Sequence, residues 1–333
     1  FIMIREGSAE NNLEALLPLV TDKTYKRCFF VVDDRNYVDL FRDGTIDAVV
    51  RKAIALGLPP IRAIQLATIN PAEYFHLRRL GAVAPGYQAN LIVIDDLSSL
   101  RVDMVFHRGR LVADTGKPLF SVKRATSRGL TNTAKVKPFP IESLQLRASG
   151  ETLPIIEIVP GQIITRKRIG KIRVRDGVIV PDISRDILKL VVVERHKATG
   201  NIGQGMISGL GLKKGALVSS IAHDSHNIVA VGTNDEDIYA AIKEIERLQG
   251  GLVVVAGGQV LASLTLPIAG LLSTEPLEAV VDKLHHLEQA ATHLGARLSS
   301  SFSTLSFMAL PVIPELRLTD LGLVDVGQFK LIK

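Results

Sequence analysis

Residues 28–35 read CFFVVDDR, five apolar side chains in a row followed by two carboxylates and a guanidinium. A short run that is apolar at every position suits a strand covered on both faces, as in a parallel sheet flanked by helices. The change of character at Asp33 marks the carboxyl end of that strand. In (β/α) barrels this is the end where catalytic groups collect. A carboxylate held there can ligate a metal or take a proton from water. It can equally do no more than cap the next turn.

Working outward, Phe1–Ile4 is a second short apolar run, and Leu13, Leu16 and Leu17 within 11–20 stand at helical spacing. After the carboxylates the pattern predicts a helix over Ile46–Leu56, with Val49, Val50, Ala53 and Ile54 on one side. Pro59-Pro60 breaks it, and a short helix holding Ile61, Ile64 and Leu66 follows. Asn70-Pro71 reads as an N-cap with proline at the first helical position, opening a turn through Tyr74. Residues 1–78 therefore alternate β and α.

The next block, 79–120, is strand-rich. Asn90–Ile94 reads as a strand, and Val102–His107 pairs with Arg110–Ala113 around the Arg108-Gly109 turn. Residues 121–140, rich in Ser, Thr, Lys and Arg and ending Pro138-Phe139-Pro140, read as a linker. Residues 141–333 read as an α+β domain. Strands are expected at 153–158, 162–166, 170–180, 188–194, 216–221, 227–232, 252–256 and 259–266, with a hairpin turn at Gly257-Gly258. Asn234 caps a helix carrying Ile238, Ala241, Ile242, Ile245 and Leu248. A second helix starts near Thr274 and Pro276 and turns Leu277, Val280, Val281, Leu284 and Leu287 inward.

The 333 residues are 47% apolar and 22% charged, with a formal net charge of +6. At roughly 150 residues per domain that length predicts about two domains, each with a sizeable core; the high apolar fraction and low net charge exclude disorder. No apolar run approaches the ~18 residues of a membrane-spanning helix. The opening FIMIREGS turns charged within five residues, so a secretory signal is not expected there, and the single cysteine, Cys28, has no partner for an intramolecular disulfide. A soluble cytoplasmic protein is expected. The basic run Arg166-Lys167-Arg168, Lys171, Arg173 and Arg175 alternates with Ile172 and Val174, as a strand with one solvated face does. There is no tryptophan and aromatics are only 5% of residues, so stacking platforms for bases are scarce. Neither nucleic acid nor a membrane is expected as a partner.

Two further clusters could carry chemistry. His223-Asp224-Ser225-His226-Asn227 lies between two expected strands, and Glu194-Arg195-His196 ends another, so the two could converge at one edge. They could bind a metal or reach a substrate; alternatively their side chains hydrogen-bond loop backbone and hold the domain together. Arg5-Glu6-Gly7-Ser8 follows the first strand at the same end as Asp33, and Glu6 or Ser8 could contact a ligand there. His285-His286 sit about 100° apart on a helix, which is poor for shared chelation. His76, His107 and His293 are isolated. Gly200–Gly215 contains Lys213-Lys214 but no P-loop pattern.

FIMIREGSAENNLEALLPLV, FFVVDDRN, Gly44–Asp47, LATINPAEYFHL and LGAVAPGYQANLIVIDDL together resemble the adenine deaminase family of the amidohydrolase superfamily. The resemblance continues through VVVERHKATGNIG, GLKKGALVSSIAHDSHNIVAVGTNDEDI, LPIAGLLSTEP and SFSTLSFMALPVIPELRLTDLGLVDV. The HDSHN element is more specific than the PG-x-x-A element.

What the resemblance implies is an α/β plus α+β fold. Residues 1–78 would be the end of an amidohydrolase (β/α) barrel, strands seven and eight with their helices. Residues 79–120 would be a small β-sandwich segment and 141–333 the deaminase-type C-terminal domain. It further implies hydrolysis of adenine to hypoxanthine and ammonia, with manganese, iron or zinc as the metal. Asp33 would then be the strand-eight aspartate, both proton carrier and metal donor, with Asp34 as the fallback. Glu6, Ser8, His223 and His226 are the substrate-binding candidates. The superfamily's His-x-His spacing occurs nowhere among the eight histidines. The chain is thus expected to be the C-terminal portion of a deaminase, without most of its metal ligands and inactive alone. Three positions depart from the pattern: Thr45 for a histidine, Tyr37 for a proline and Asn90 for an aspartate. Barrel elements lacking neighbours leave apolar surface in water, so a homo-oligomer is expected. Competing readings are a non-catalytic structural or regulatory module that needs a partner chain, and an amidohydrolase acting on another cyclic amide.

Overall fold

In the computed structural model, residues 1–8, 11–122, 129–298 and 300–332 are described. The chain divides into two units, Phe1–Ala125 and Thr126–Lys333.

In the first unit, β1 (Ile2–Arg5) and β2 (Cys28–Val31) pair in parallel, with Ile2 opposite Cys28 and Arg5 opposite Val31. Between them lie α1 (Leu13–Leu16) and two short 3-10 turns, because Pro18 ends the regular helix early. After β2 come α2 (Tyr37–Asp43), α3 (Ile46–Ala55), α4 (Pro60–Ala67) and α5 (Ile69–Tyr74). The CFFV run is covered on both faces, as its composition requires. Cys28 and Phe30 turn into a core with Ile4, Leu13, Val49, Val50, Ala53 and Leu66. Phe29 turns the other way, with its ring 5.0 Å from Tyr74 and 5.9 Å from Phe75. Full burial of an aromatic or aliphatic side chain is worth roughly 1.5–3 kcal/mol, so this short strand is a main anchor of the unit.

One local expectation fails here for a clear reason. Asn70 is not an N-cap: it lies inside α5, is 3% exposed, and its Nδ2 donates to the carbonyls of Tyr25 and Cys28, both at 2.8 Å. Residues 37–43 form a helix for which the sequence carries no expectation; the Asn36 side chain caps it by accepting the Asp39 amide at 2.9 Å. Gly44 ends that helix at φ +92, and a Cβ there would fall 2.6 Å from the Asp47 carboxylate that accepts the Thr45 amide.

The unit continues as a four-stranded antiparallel sheet: β3 (Leu91–Ile94), β4 (Val102–His107), β5 (Arg110–Asp114) and β6 (Lys117–Pro118). Of the expected linker 121–140, residues 123–128 lie outside the described residues. Beyond them Ala134 and Val136 are buried, and the Lys135 amide donates to the Arg195 carbonyl at 2.7 Å.

The second unit contains β7 (Thr152–Ile158), β8 (Thr165–Lys171), β9 (Arg173–Arg175), β10 (Val178–Val180), β11 (Ile187–Val193), β12 (Ile202–Ser208), β13 (Ala216–Ser219) and β14 (Ile228–Gly232). Then follow α6 (Asp235–Leu248), β15 (Gly251–Ala256), β16 (Gln259–Thr265), α7 (Leu277–His293), α8 (Ser301–Phe307), β17 (Leu316–Thr319), β18 (Gly322–Asp325) and β19 (Lys330–Ile332). Eight strands form one mixed sheet in the order β16-β15-β13-β14-β11-β12-β7-β8, and β17-β18-β19 form a second. Helix α6 seats Ile238, Ala241, Ile242 and Ile245 on Val191, Val218, Ala230 and Val253. Asn234 caps it as expected, accepting the Asp237 amide at 2.7 Å.

The single strand expected at 170–180 is in fact the end of β8 plus the β9–β10 hairpin, whose Asp176 and Gly177 both take positive φ. The strand expected at 162–166 begins only at Thr165. Within the glycine-rich 200–215 segment, β12 is a full strand, and its Gly203 has the Thr319 carbonyl where a Cβ would stand. No helix among the described residues is long and apolar enough to cross a membrane.

Candidate active site

Because β1 and β2 run side by side in the same direction, the segments after Arg5 and Val31 emerge at one edge. Asp33 is there, more than half exposed, with its Oδ2 2.7 Å from Arg5 Nη1. The Asp34 carbonyl accepts the Ser8 amide at 3.4 Å. Ser8 Oγ donates to Asp39 Oδ2 at 2.5 Å and accepts the Asn36 amide at 2.9 Å. Glu6 is 6% exposed, and both of its carboxylate oxygens are engaged: Oε2 accepts the Leu13 amide at 3.1 Å and Oε1 pairs with Lys52. A cleft of about 500 Å³ opens here, lined in part by Glu6, Ser8, Arg35, Asp39, Arg42 and Lys52. Its lining is charged with both signs. Arg35 is tied by Nε to the Gly44 carbonyl at 2.9 Å and approaches Asp43 at 3.7 Å.

All four residues singled out in this unit, Glu6, Ser8, Asp33 and Asp34, therefore gather at one edge. Asp33 presents its carboxylate outward, whereas Glu6 and Ser8 are occupied by protein partners. No role is expected from the sequence for Arg5, Asn36, Asp39 or Lys52. Of these, only the Asn36-x-x-Asp39 capping pattern leaves a local signature; the other pairings join residues distant in sequence.

In the second unit, the HDSHN loop connects β13 to β14, and antiparallel pairing of Val193 with Ile228 brings it beside the end of β11. The two clusters do converge, and the bonds between them run largely to backbone. Arg195, 1% exposed, donates from Nε to the His226 carbonyl at 2.5 Å and from Nη2 to the Ala269 carbonyl at 3.0 Å. His196 Nε2 is 2.7 Å from the Ser225 carbonyl, and His226 Nδ1 accepts the Ala222 amide at 3.3 Å. Burial pushes the His226 imidazole below its ordinary pKa, and the neighbouring His223 and Arg195 add to the effect. Burial also raises Glu194, but the Thr199, Lys197 and His196 amides outweigh it and hold the carboxyl below the usual range. The His223 ring stacks on Phe307 at 4.7 Å and lies 5.9 Å from the His226 ring.

Among the described residues no three His, Cys, Asp or Glu side chains are grouped to hold a metal ion. At the Asp33 edge the Asp33 carboxylate is already paired with Arg5, and the Glu6 carboxylate with Lys52. A catalytic divalent ion takes about three protein donors. The residues present here do not fit such an ion by themselves.

Comparison with known proteins adds the following. Residues 162–330 match the model of the adenine deaminase C-terminal domain, and residues 3–112 that of the amidohydrolase family. An adenine deaminase of Dehalococcoides mccartyi is 62% identical over 332 residues, covering 100% of this chain and 58% of that protein. Adenine deaminase 2 of Carboxydothermus hydrogenoformans is 48% identical over 333 residues, again 100% of this chain and 58% of the relative. An adenine deaminase of Halalkalibacterium halodurans is 45% identical over 336 residues, 100% of this chain and 57% of the relative. The chain thus spans a little under three fifths of the length of these relatives.

Proposed function

Since this chain belongs to the adenine deaminase C-terminal domain family and carries an amidohydrolase stretch ahead of that domain, we propose that it is part of a hydrolase converting adenine and water to hypoxanthine and ammonia. The observation that carries this reading is the match over 162–330 in a chain whose whole length aligns with adenine deaminases. In this reading residues 1–78 close a (β/α) barrel, 79–120 are a small β-sandwich segment and 141–333 are the appended domain. The parallel β1–β2 pair with its following helices and the antiparallel β3–β6 sheet support that division.

The chemistry asks for a group that takes a proton from water as it adds to C6 of the purine and returns a proton to the departing amine. Asp33 is assigned that role, because it is the exposed carboxylate at the strand end and Arg5 fixes its direction. Asp34 is the fallback. A manganese, iron or zinc ion belongs to the proposal for the whole enzyme, with Asp33 the one donor contributed from this edge. A cytoplasmic setting accords with the single buried cysteine. For this chain by itself, the apolar side chains exposed on the first unit, among them Phe1, Ile2, Met3 and Phe75, support self-association; in the completed barrel those of β1 would meet its other strands.

The test is adenine-to-hypoxanthine turnover with manganese supplied, for the chain alone and for the chain together with the remaining part of a relative. The completed enzyme is expected to turn over, and Asp33→Asn to lose about a thousandfold in kcat. Retention of most turnover by Asp33→Asn would transfer the role to Asp34. No turnover in the completed enzyme leaves the non-catalytic module as the reading.

A further inference from the structure

We propose that Ser8 and Asp39 form a positioning pair that pins the turn carrying Asp33 and Asp34, an assignment that rests on the reading of that turn as the catalytic end. Ser8 belongs to the segment after β1, and Asp39 to the first turn of α2, which follows β2. Between them the 33–36 turn is held at successive points. Arg5 holds the Asp33 carboxylate at 2.7 Å. The Ser8 amide holds the Asp34 carbonyl at 3.4 Å. Ser8 Oγ holds the Asn36 amide at 2.9 Å, and Asn36 Oδ1 in turn holds the Asp39 amide at 2.9 Å.

The Ser8 hydroxyl has one proton, and it goes to Asp39 Oδ2 at 2.5 Å. That bond fixes the rotor so that a lone pair faces the Asn36 amide. An ionised carboxylate is the acceptor best able to do this, because charge-assisted hydrogen bonds are shorter and stronger than neutral ones. Asp39 is itself steadied by Arg42 at 3.4 Å. Ser8 and Asp39 both line the cleft of about 500 Å³ and belong to no hydrophobic core. Their evident product is the location of the turn. A displacement of about 1 Å at a reacting group can cost about a hundredfold in rate, so such a strap acts on kcat rather than on affinity.

The experiment uses Ser8→Ala, Asp39→Asn, the double variant and Ser8→Thr in the completed enzyme. Each single variant is expected to lower kcat for adenine by about 10- to 100-fold with KM within about twofold. The double should be no worse than the poorer single, because the two side chains act as a unit. Ser8→Thr, which keeps the hydroxyl, should recover most of the loss. A rise in KM at unchanged kcat would overturn the assignment and make Ser8 a direct substrate contact. A Ser8→Thr variant as slow as Ser8→Ala would overturn the role of the hydroxyl. Hydrogen exchange of the Ser8 and Asn36 amides in the present chain is an independent readout. Asp39→Asn should speed both by about tenfold or more, and unchanged protection overturns the pair. If the completed enzyme shows no turnover, the functional reading fails, and exchange still decides whether the strap holds the turn.

Discussion

At the residue scale, His226 shows how a histidine-rich motif can be read in two ways. HDSHN invites a metal or a substrate, yet its best-defined contacts are with backbone: an Ala222 amide on the ring and an Arg195 guanidinium on the carbonyl. The ring accepts at Nδ1, and burial favours its neutral form, so its folded pKa lies below the ordinary value of 6.5. As pH falls below about 6.5 the unfolded chain takes up the proton first, and stability is lost progressively. The second unit should therefore melt at a lower temperature at pH 5 than at pH 7.5. His226→Asn, which keeps an acceptor but cannot titrate, should flatten that dependence; an unaltered pH slope would show that other groups carry it. Asn70 teaches the complementary lesson. An Asn-Pro pair predicts a cap from local rules, but tertiary demand for a donor to the Tyr25 and Cys28 carbonyls took the side chain instead.

At the element scale, the strands legible in the sequence are those with apolar runs, such as the LVVV that ends β11 (ILKLVVV) and the LVVVA of β15 (GLVVVA). Strand β12 (IGQGMIS) was not, because its glycines look like loop formers until their neighbours are known. An added Cβ on Gly203 would overlap the Thr319 carbonyl at 1.8 Å, whereas one on Gly205 would meet Leu318 Cδ1 at an ordinary 3.5 Å. Gly203→Ala should cost about 3 kcal/mol or more, and Gly205→Ala less than about 1 kcal/mol, both read from urea midpoints. Equal costs would mean that β17 yields easily. Helix α8 (SFSTLSF) is illegible for a related reason: it has no charged residue, and Ser301 and Ser306 are buried along with Phe302 and Leu305, so polarity does not mark its outer face. The strand-end position of Asp33 is legible from the apolar run before it, whereas a contact assembled across the sequence, such as Ser8 with Asp39, is not.

At the scale of the whole molecule, the two units have separate cores: one around Cys28, Phe30 and Leu66, the other around Val191, Val218 and Ile242. Calorimetry should therefore resolve two transitions, and a polypeptide of residues 129–332 should keep the one that belongs to the second unit. A single cooperative transition would show that the units stabilise one another. Cys28 gives this division a practical use. It is the only thiol in the chain, fully buried in the first unit, where burial also raises its pKa. Alkylating reagents attack an accessible thiolate, so each labelling event registers one opening of the front half while the rear half stays invisible to the reagent. The protein thus carries its own single-site clock for the breathing of one half of its chain.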